Sequence, residues 1–168
     1  MLFVNPKTLF MKSIWFSRVN DEFGWLGNMA PSSIVFNGKT WRTSEALFQA
    51  LRFEDESIRE IIRSEKSPMG AKMKAKKLRN KMVVIPMSEQ DVENMKKCVR
   101  LKFDQNLNLR NELIRTGNVL IFEDIGKRTG ERHQFWGAKK VNEDEGCGFN
   151  MMGQILMELR NTYLIQDS

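Results

Sequence analysis

Histidine and cysteine are nearly absent from this chain. Its 168 residues include one His, His133, and two Cys, Cys98 and Cys147. The two Cys stand far apart and match neither a disulfide framework nor a zinc spacing, so a reduced, cytoplasmic setting is expected, with no metal. A Ser–His or Cys–His pair would have to use the lone His133, and no Ser sits in a nucleophile-elbow motif. Phosphate-loop and dinucleotide fingerprints are missing as well. Gly146-Cys147-Gly148 is not followed by a third Gly at the required spacing, so no cofactor is expected. No apolar run approaches the ~18 residues of a membrane span. The opening MLFVNPKTLFMKSIW is broken at Asn5, Pro6 and Lys7 and lacks a small-residue cleavage site, so it does not read as a signal peptide.

Linkers, repeats and low-complexity segments are also wanting. The length and the 41% hydrophobic and 29% charged content fit one soluble domain able to bury a core. The expectation is a mainly α, single compact multihelical domain with a few short β-strands over 14–168, preceded by an extension over 1–13. The net charge of +6 is uneven. Between Lys66 and Lys81 lie seven cations (Lys66, Lys72, Lys74, Lys76, Lys77, Arg79, Lys81) and no Asp or Glu. Such a run is either a solvated helix face or a contact for phosphates and nucleic acid.

Apolar spacing and cap residues place the elements. Strands are expected at Ile14–Phe16, at Ser33–Asn37 with a hairpin turn at Asn37-Gly38, and at Val119–Phe122, which delivers Glu123 at its end. Val83–Pro86 reads as a brief extended segment. Asp55–Arg63 is helical, and Ser67-Pro68 starts the Lys-rich helix with Met69, Met73 and Leu78 as its buried side. A long helix over 91–106 carries Val92, Met95, Val99 and Phe103 as a core stripe. Asn108–Thr116 is a helix closed by Gly117, and Asn150–Tyr163 is another. The segment 126–145 reads as loop except around Phe135-Trp136-Gly137.

The stretch GKTWRTSEALFQALRF, Gly38 to Phe53, carries the most chemistry. Thr40, Thr43 and Ser44 offer helix starts, and Glu45, Gln49 and Arg52 then fall on one face, with Leu47, Ala50 and Leu51 on another. A carboxylate, an amide and a guanidinium in line behind Trp41 form either a solvated face or a site wall, and spacing alone leaves both open. Glu45 and Glu123 are the carboxylates left for acid–base work on a glycosidic bond.

Several strings resemble the YbiA-like, or NADAR, family. They are Leu26-Gly27-Asn28-Met29-Ala30-Pro31, Trp41-Arg42-Thr43-Ser44-Glu45-Ala46-Leu47-Phe48-Gln49-Ala50, Ser67-Pro68-Met69-Gly70-Ala71-Lys72, Phe135-Trp136-Gly137, and Gly146-Cys147-Gly148-Phe149-Asn150-Met151-Met152-Gly153 with Leu156-Met157-Glu158-Leu159-Arg160. Their order and spacing hold over roughly 14–165. The resemblance implies an N-glycosidase that splits the bond between a ribose carbon and an exocyclic amine. Its substrate would be ADP-ribosylated guanine in DNA, reversing a DarT-type toxin, or a small phosphorylated ribosylamine of riboflavin biosynthesis. It also leaves room for a non-catalytic binder of ADP-ribose or NAD.

The resemblance implies roles as well. Glu45 takes the acid–base role, with Glu123 as a second carboxylate. Asn28, Trp41, Gln49, Arg52, Trp136, Gly137 and Asn150 shape the pocket, and Gly146 and Gly148 suit a phosphate. A Lys could attack an opened ribose as a Schiff base. The family presents a Lys where this chain has Arg52, which is always protonated and cannot do this; Lys39 or Lys72 would then serve. The family's acidic residue shortly before Trp-Gly is replaced by the region of His133 and Gln134.

Overall fold

A computed structural model describes residues 11–166. The expected extension over 1–13 lies mostly outside them. The described chain forms two compact units, one of Asn28–Asn106 and one of residues 11–27 with 107–166. Both are built from helices with short two-stranded ribbons, as the sequence predicts.

The second unit begins with strand β1, Ser13–Phe16, but its parallel partner comes much later in the chain. In the Asn28–Asn106 unit, β2 (Ile34–Phe36) and β3 (Lys39–Trp41) form the expected hairpin. Asn37 (φ 50°) and Gly38 (φ 73°) take the two left-handed positions of a tight turn whose twist suits paired strands. Helix α1, Ser44–Ala50, starts on the Thr43 hydroxyl, which accepts from the Ala46 N–H. Helix α2, Glu56–Arg63, is capped by Asp55, and α3, Pro68–Lys77, by Ser67 with Pro68 in its first turn. Helix α4, Glu89–Gln105, is capped by Ser88. All three of α2, α3 and α4 pack on α1, which is buried along its whole length.

Two expectations fail here. Met69 and Met73 are exposed, and α3 instead turns Ala71 and Ala75 inward. Small side chains let two helices approach closely, and α3 meets α1 and α2 through that face. Val83–Pro86 pairs with no strand; the N–H groups of Val83 and Val84 both donate to the Arg52 carbonyl.

In the other unit, α5 (Leu107–Arg115) leads through Gly117 (φ 60°) to β4, Leu120–Glu123, which runs parallel to β1 from Ser13↔Leu120 to Phe16↔Glu123. The segment expected to be loop holds helix α6, Glu131–Trp136, and an antiparallel ribbon of β5 (Lys139–Lys140) and β6 (Gly146–Cys147). Six residues give too little periodicity for a helix to be read from sequence. Helix α7, Met151–Gln166, packs on β4, and its buried Arg160 donates to Thr116 Oγ1 and the Val119 carbonyl, fixing the α5–β4 turn. Among the described residues no helix is long and apolar enough to cross a membrane.

Candidate functional site

The polar face of α1 is buried. Glu45, Gln49 and Arg52 are all under a tenth exposed, so the spacing marks an internal network and not a solvated surface. Gln49 Nε2 donates to Glu45 Oε1 at 2.8 Å, and Arg52 Nη1 donates to Gln49 Oε1 at 3.1 Å. Arg52 then meets Asp91 of α4 in a bidentate pair, Nε to Oδ1 and Nη2 to Oδ2, both 2.8 Å. Asp91 Oδ2 also accepts from the Met87 N–H at 2.8 Å, and the Arg52 guanidinium lies 4.4 Å from the Phe48 ring centre. A low-dielectric interior strengthens each of these bonds and penalises any left unmade. The chain of contacts therefore fixes the Gln49 amide and, through it, the Glu45 carboxylate. Arg52 is committed to Asp91 and Gln49.

The entry to α1 is tied down from the other side. The Asn28 carbonyl accepts from the Glu45 N–H (3.1 Å) and from Ser44 Oγ (3.2 Å), and Asn28 Oδ1 accepts from Ser44 Oγ at 3.0 Å. Asn28 is thus brought beside Glu45.

Trp41 goes elsewhere. It is buried at the end of β3 and lines a pocket of about 130 Å³ with Phe36, Leu47, Ala50 and Leu51, with Lys39, Glu56 and Arg59 at its rim. At about 100° per residue, that is the face of α1 turned away from Glu45. The Trp41 indole N–H is buried without a partner among the described residues. Lys39 is held by Glu56 and Glu60 at 3.3 and 3.8 Å, and Lys72 lies half-buried on α3.

Sequence reading missed a second buried polar line, on α4. Asp91, Asn94, Cys98 and Lys102 recur at helical spacing beside the apolar stripe, and all are buried. Lys102 is 1% exposed, and burial pushes its ammonium down to about 7. The Cys98 thiol is raised, first by burial and then by the Glu45 charge beside it. Lys102 stands one turn beyond Cys98 on the same side of α4. The available signal was the polar residue preceding each member of the stripe, Asp91 before Val92 and Lys102 before Phe103. Cys147 is exposed and Cys98 buried. A thiol reagent is therefore expected to label one Cys in the native protein, and the second only as it unfolds, which titration with and without denaturant checks.

Glu123, Trp136, Gly137, Gly146, Gly148 and Asn150 belong to the other unit and sit around the end of β4. Asn150 (φ 50°) spends its side chain there: Oδ1 accepts from the Glu123 N–H (3.0 Å) and Nδ2 donates to the Ile121 carbonyl (2.8 Å). Gly137 is required by contact, since a Cβ would lie 2.5 Å from the Glu123 carbonyl oxygen. Gly148 combines φ 141° with a Cβ position 2.6 Å from the Gly137 carbonyl oxygen. Gly146 lies in β6, opposite Lys140. These residues cluster, and the glycines and Asn150 are used in packing the cluster. Among the described residues no group of His, Cys, Asp and Glu could hold a metal.

Comparison with known proteins fits this arrangement. The NADAR domain model matches residues 10–163. N-glycosidase YbiA of Shigella boydii is 36% identical over 153 residues, covering 90% of this chain and 88% of that protein. A riboflavin biosynthesis protein of Vibrio vulnificus is 30% identical over 148 residues, 88% of this chain but 37% of the longer relative. The NMR structure of E. coli YbiA superposes with a TM-score of 0.80 at 32% identity, over 99% of this chain and 95% of that one. With a family model spanning nearly its whole length and relatives of matching extent, this chain is a member of the NADAR family.

Proposed function

We propose that this protein is an N-glycosidase that hydrolyses the bond between ribose C1 and an exocyclic base amine, with Glu45 moving the proton and Lys102 supplying a neutral amine. The observation that carries the reading is a buried carboxylate held by Gln49 on α1 together with, on α4 of the same unit, a buried lysine whose ammonium burial pushes down to about 7. A glycosylamine opens when its N–H proton passes to the ring oxygen, leaving an imine at C1. The Lys102 amine adds to that carbon. Glu45 carries one proton from the Lys102 nitrogen to the base nitrogen, which gives the aminal. It then carries the second, so that the C1–N bond to the base breaks, the base leaves as its free amine and Lys102 is left as the imine at C1. Water then adds to the Lys102 imine and releases the sugar aldehyde, restoring the lysine. The chemistry needs one group to shuttle protons and one unprotonated nucleophile, and Arg52 can be neither.

The substrate we favour is ADP-ribose attached to guanine in DNA. Its support is the α3 face and the turn after it, where Lys66, Lys76, Lys77, Arg79 and Lys81 are exposed with no acidic residue among them in sequence. A second reading, phosphorylated intermediates of riboflavin biosynthesis, draws on the name carried by the Vibrio relative. The two part on turnover and on salt. ADP-ribosylated oligonucleotide and pyrimidine ribosylamine phosphate are each incubated with the protein, and release of the sugar phosphate is followed. Contact with four backbone phosphates would lower kcat/KM on the oligonucleotide by about 50-fold between roughly 50 and 200 mM salt. Release from the pyrimidine substrate alone would establish the second reading. Tight binding without release from either, unchanged in Glu45→Gln, would make the protein a binding module and defeat both.

A further inference from the structure

We propose that Phe149 is a stacking platform for a nucleobase, set at the rim of the Glu123–Asn150 cluster. Among the described residues it is the one aromatic side chain in the set of exposed large hydrophobics, 67% exposed. An exposed Phe on a loose loop would mean little, but the backbone of this one is bonded on both sides. Its N–H donates to the Gln134 carbonyl at 2.7 Å, and its carbonyl accepts from Gln154 Nε2. The residue before it, Gly148, is in a conformation that only glycine adopts easily and is pressed against Gly137. The residue after it, Asn150, is left-handed and pinned by its side chain to β4 on both sides of Phe122. Unusual backbone on both flanks, each over-determined by its surroundings, is the pattern expected where a side chain must be presented.

The surroundings suit a base. The Phe135 ring lies 6.0 Å from that of Phe149, tilted by 37°, and Trp136 meets Phe135 edge-on at 5.0 Å. Arg132 stands one turn before Phe135 on α6, so the helix that carries the rings also carries a cation suited to a phosphate. Exposed aromatics with neighbouring cations hold single-stranded nucleic acid without reading its sequence, because every base offers a flat face. This inference rests on the N-glycosidase reading only for its purpose: a nucleotide or strand held on Phe149 is of the chemical class which that reading takes as substrate.

The test measures binding separately from turnover. Affinity for a labelled, unmodified single-stranded oligonucleotide and for guanosine monophosphate is compared in wild type, Phe149→Leu and Phe149→Trp. Phe149→Leu keeps the residue apolar and is expected to weaken binding by about 5- to 100-fold without changing its salt slope, while Phe149→Trp preserves it. Loss confined to the oligonucleotide assigns the platform to a strand, and loss for the mononucleotide to a small substrate. The proposal is overturned if wild type binds neither, if Phe149→Leu binds as wild type does, or if an abasic strand loses as much as a base-bearing one. Because unmodified strands are used, absent turnover in wild type would defeat the N-glycosidase reading and leave the stacking result standing.

Discussion

Lys102→Met is expected to abolish turnover while making the protein more stable at neutral and acidic pH. Lys102 is 1% exposed and its ammonium is pushed from the ordinary 10.5 to about 7 by burial. The unfolded chain holds that proton more tightly than the folded one. Above about pH 10.5 the amine is neutral in both states and burial of charge costs nothing. As pH falls towards 7 the folded state forgoes a proton that the unfolded state keeps, and the cost grows. Below pH 7 both are protonated and the cost is complete, on the order of 5 kcal/mol.

Met fills similar volume with no charge, so it relieves that cost but loses the contact of the ammonium with the Phe103 ring, 5.3 Å away. A rise in Tm of about 5–10 °C at pH 6, shrinking towards zero by pH 10, is the expected net. Reduction with borohydride during turnover should trap the sugar on Lys102 in wild type and on nothing in the variant. Residual turnover in Lys102→Met, or an adduct on Lys39 or Lys72, would remove Lys102 from the mechanism.

That lysine also shows what the sequence could convey. The α1 face was legible: its register placed Glu45, Gln49 and Arg52 together, and Thr43 capped the helix where a Thr could be expected to. What periodicity could not supply was burial. The same spacing describes a wet surface and an internal network, and only the helices packed around α1 separate them. On α4 the spacing identifies the apolar stripe at Met95, Val99 and Phe103, and that stripe conceals the polar line one residue away. A Lys beside a Phe at helical spacing is ordinarily a long stem reaching water. Here Lys102 is enclosed, which depends on neighbours distant in sequence. Trp41 is a different case. A motif groups residues by order, but β3 delivers Trp41 to the side of α1 turned away from Glu45, and only the hairpin's geometry reveals that.

Asp91→Ala is the substitution expected to damage the fold most, by about 3–5 kcal/mol, because it strands a guanidinium in the interior. Arg52 and Asp91 are 3% and 0% exposed, and the carboxylate serves two guanidinium nitrogens and the Met87 N–H at once. Removing it leaves all three donors without their acceptor, and a fall in Tm of about 10 °C follows for a chain of this size. Thermal melts alone would show that the pair is buried, not what it is for. The double variant Arg52→Met, Asp91→Leu separates these. Exchanging a buried ion pair for apolar groups of similar volume is often neutral, so its stability is expected near wild type. Its turnover is not. Gln49 Oε1 loses the Arg52 Nη1 bond that orients the amide, and Glu45 Oε1 then loses its fixed donor. A drop in kcat with KM little changed marks a group that orients the proton carrier and does not hold substrate. Unchanged kcat in a folded double variant would reduce Arg52 and Asp91 to structure, and Glu45 would have to be held in place by the Asn28 and Ser44 contacts at the start of α1.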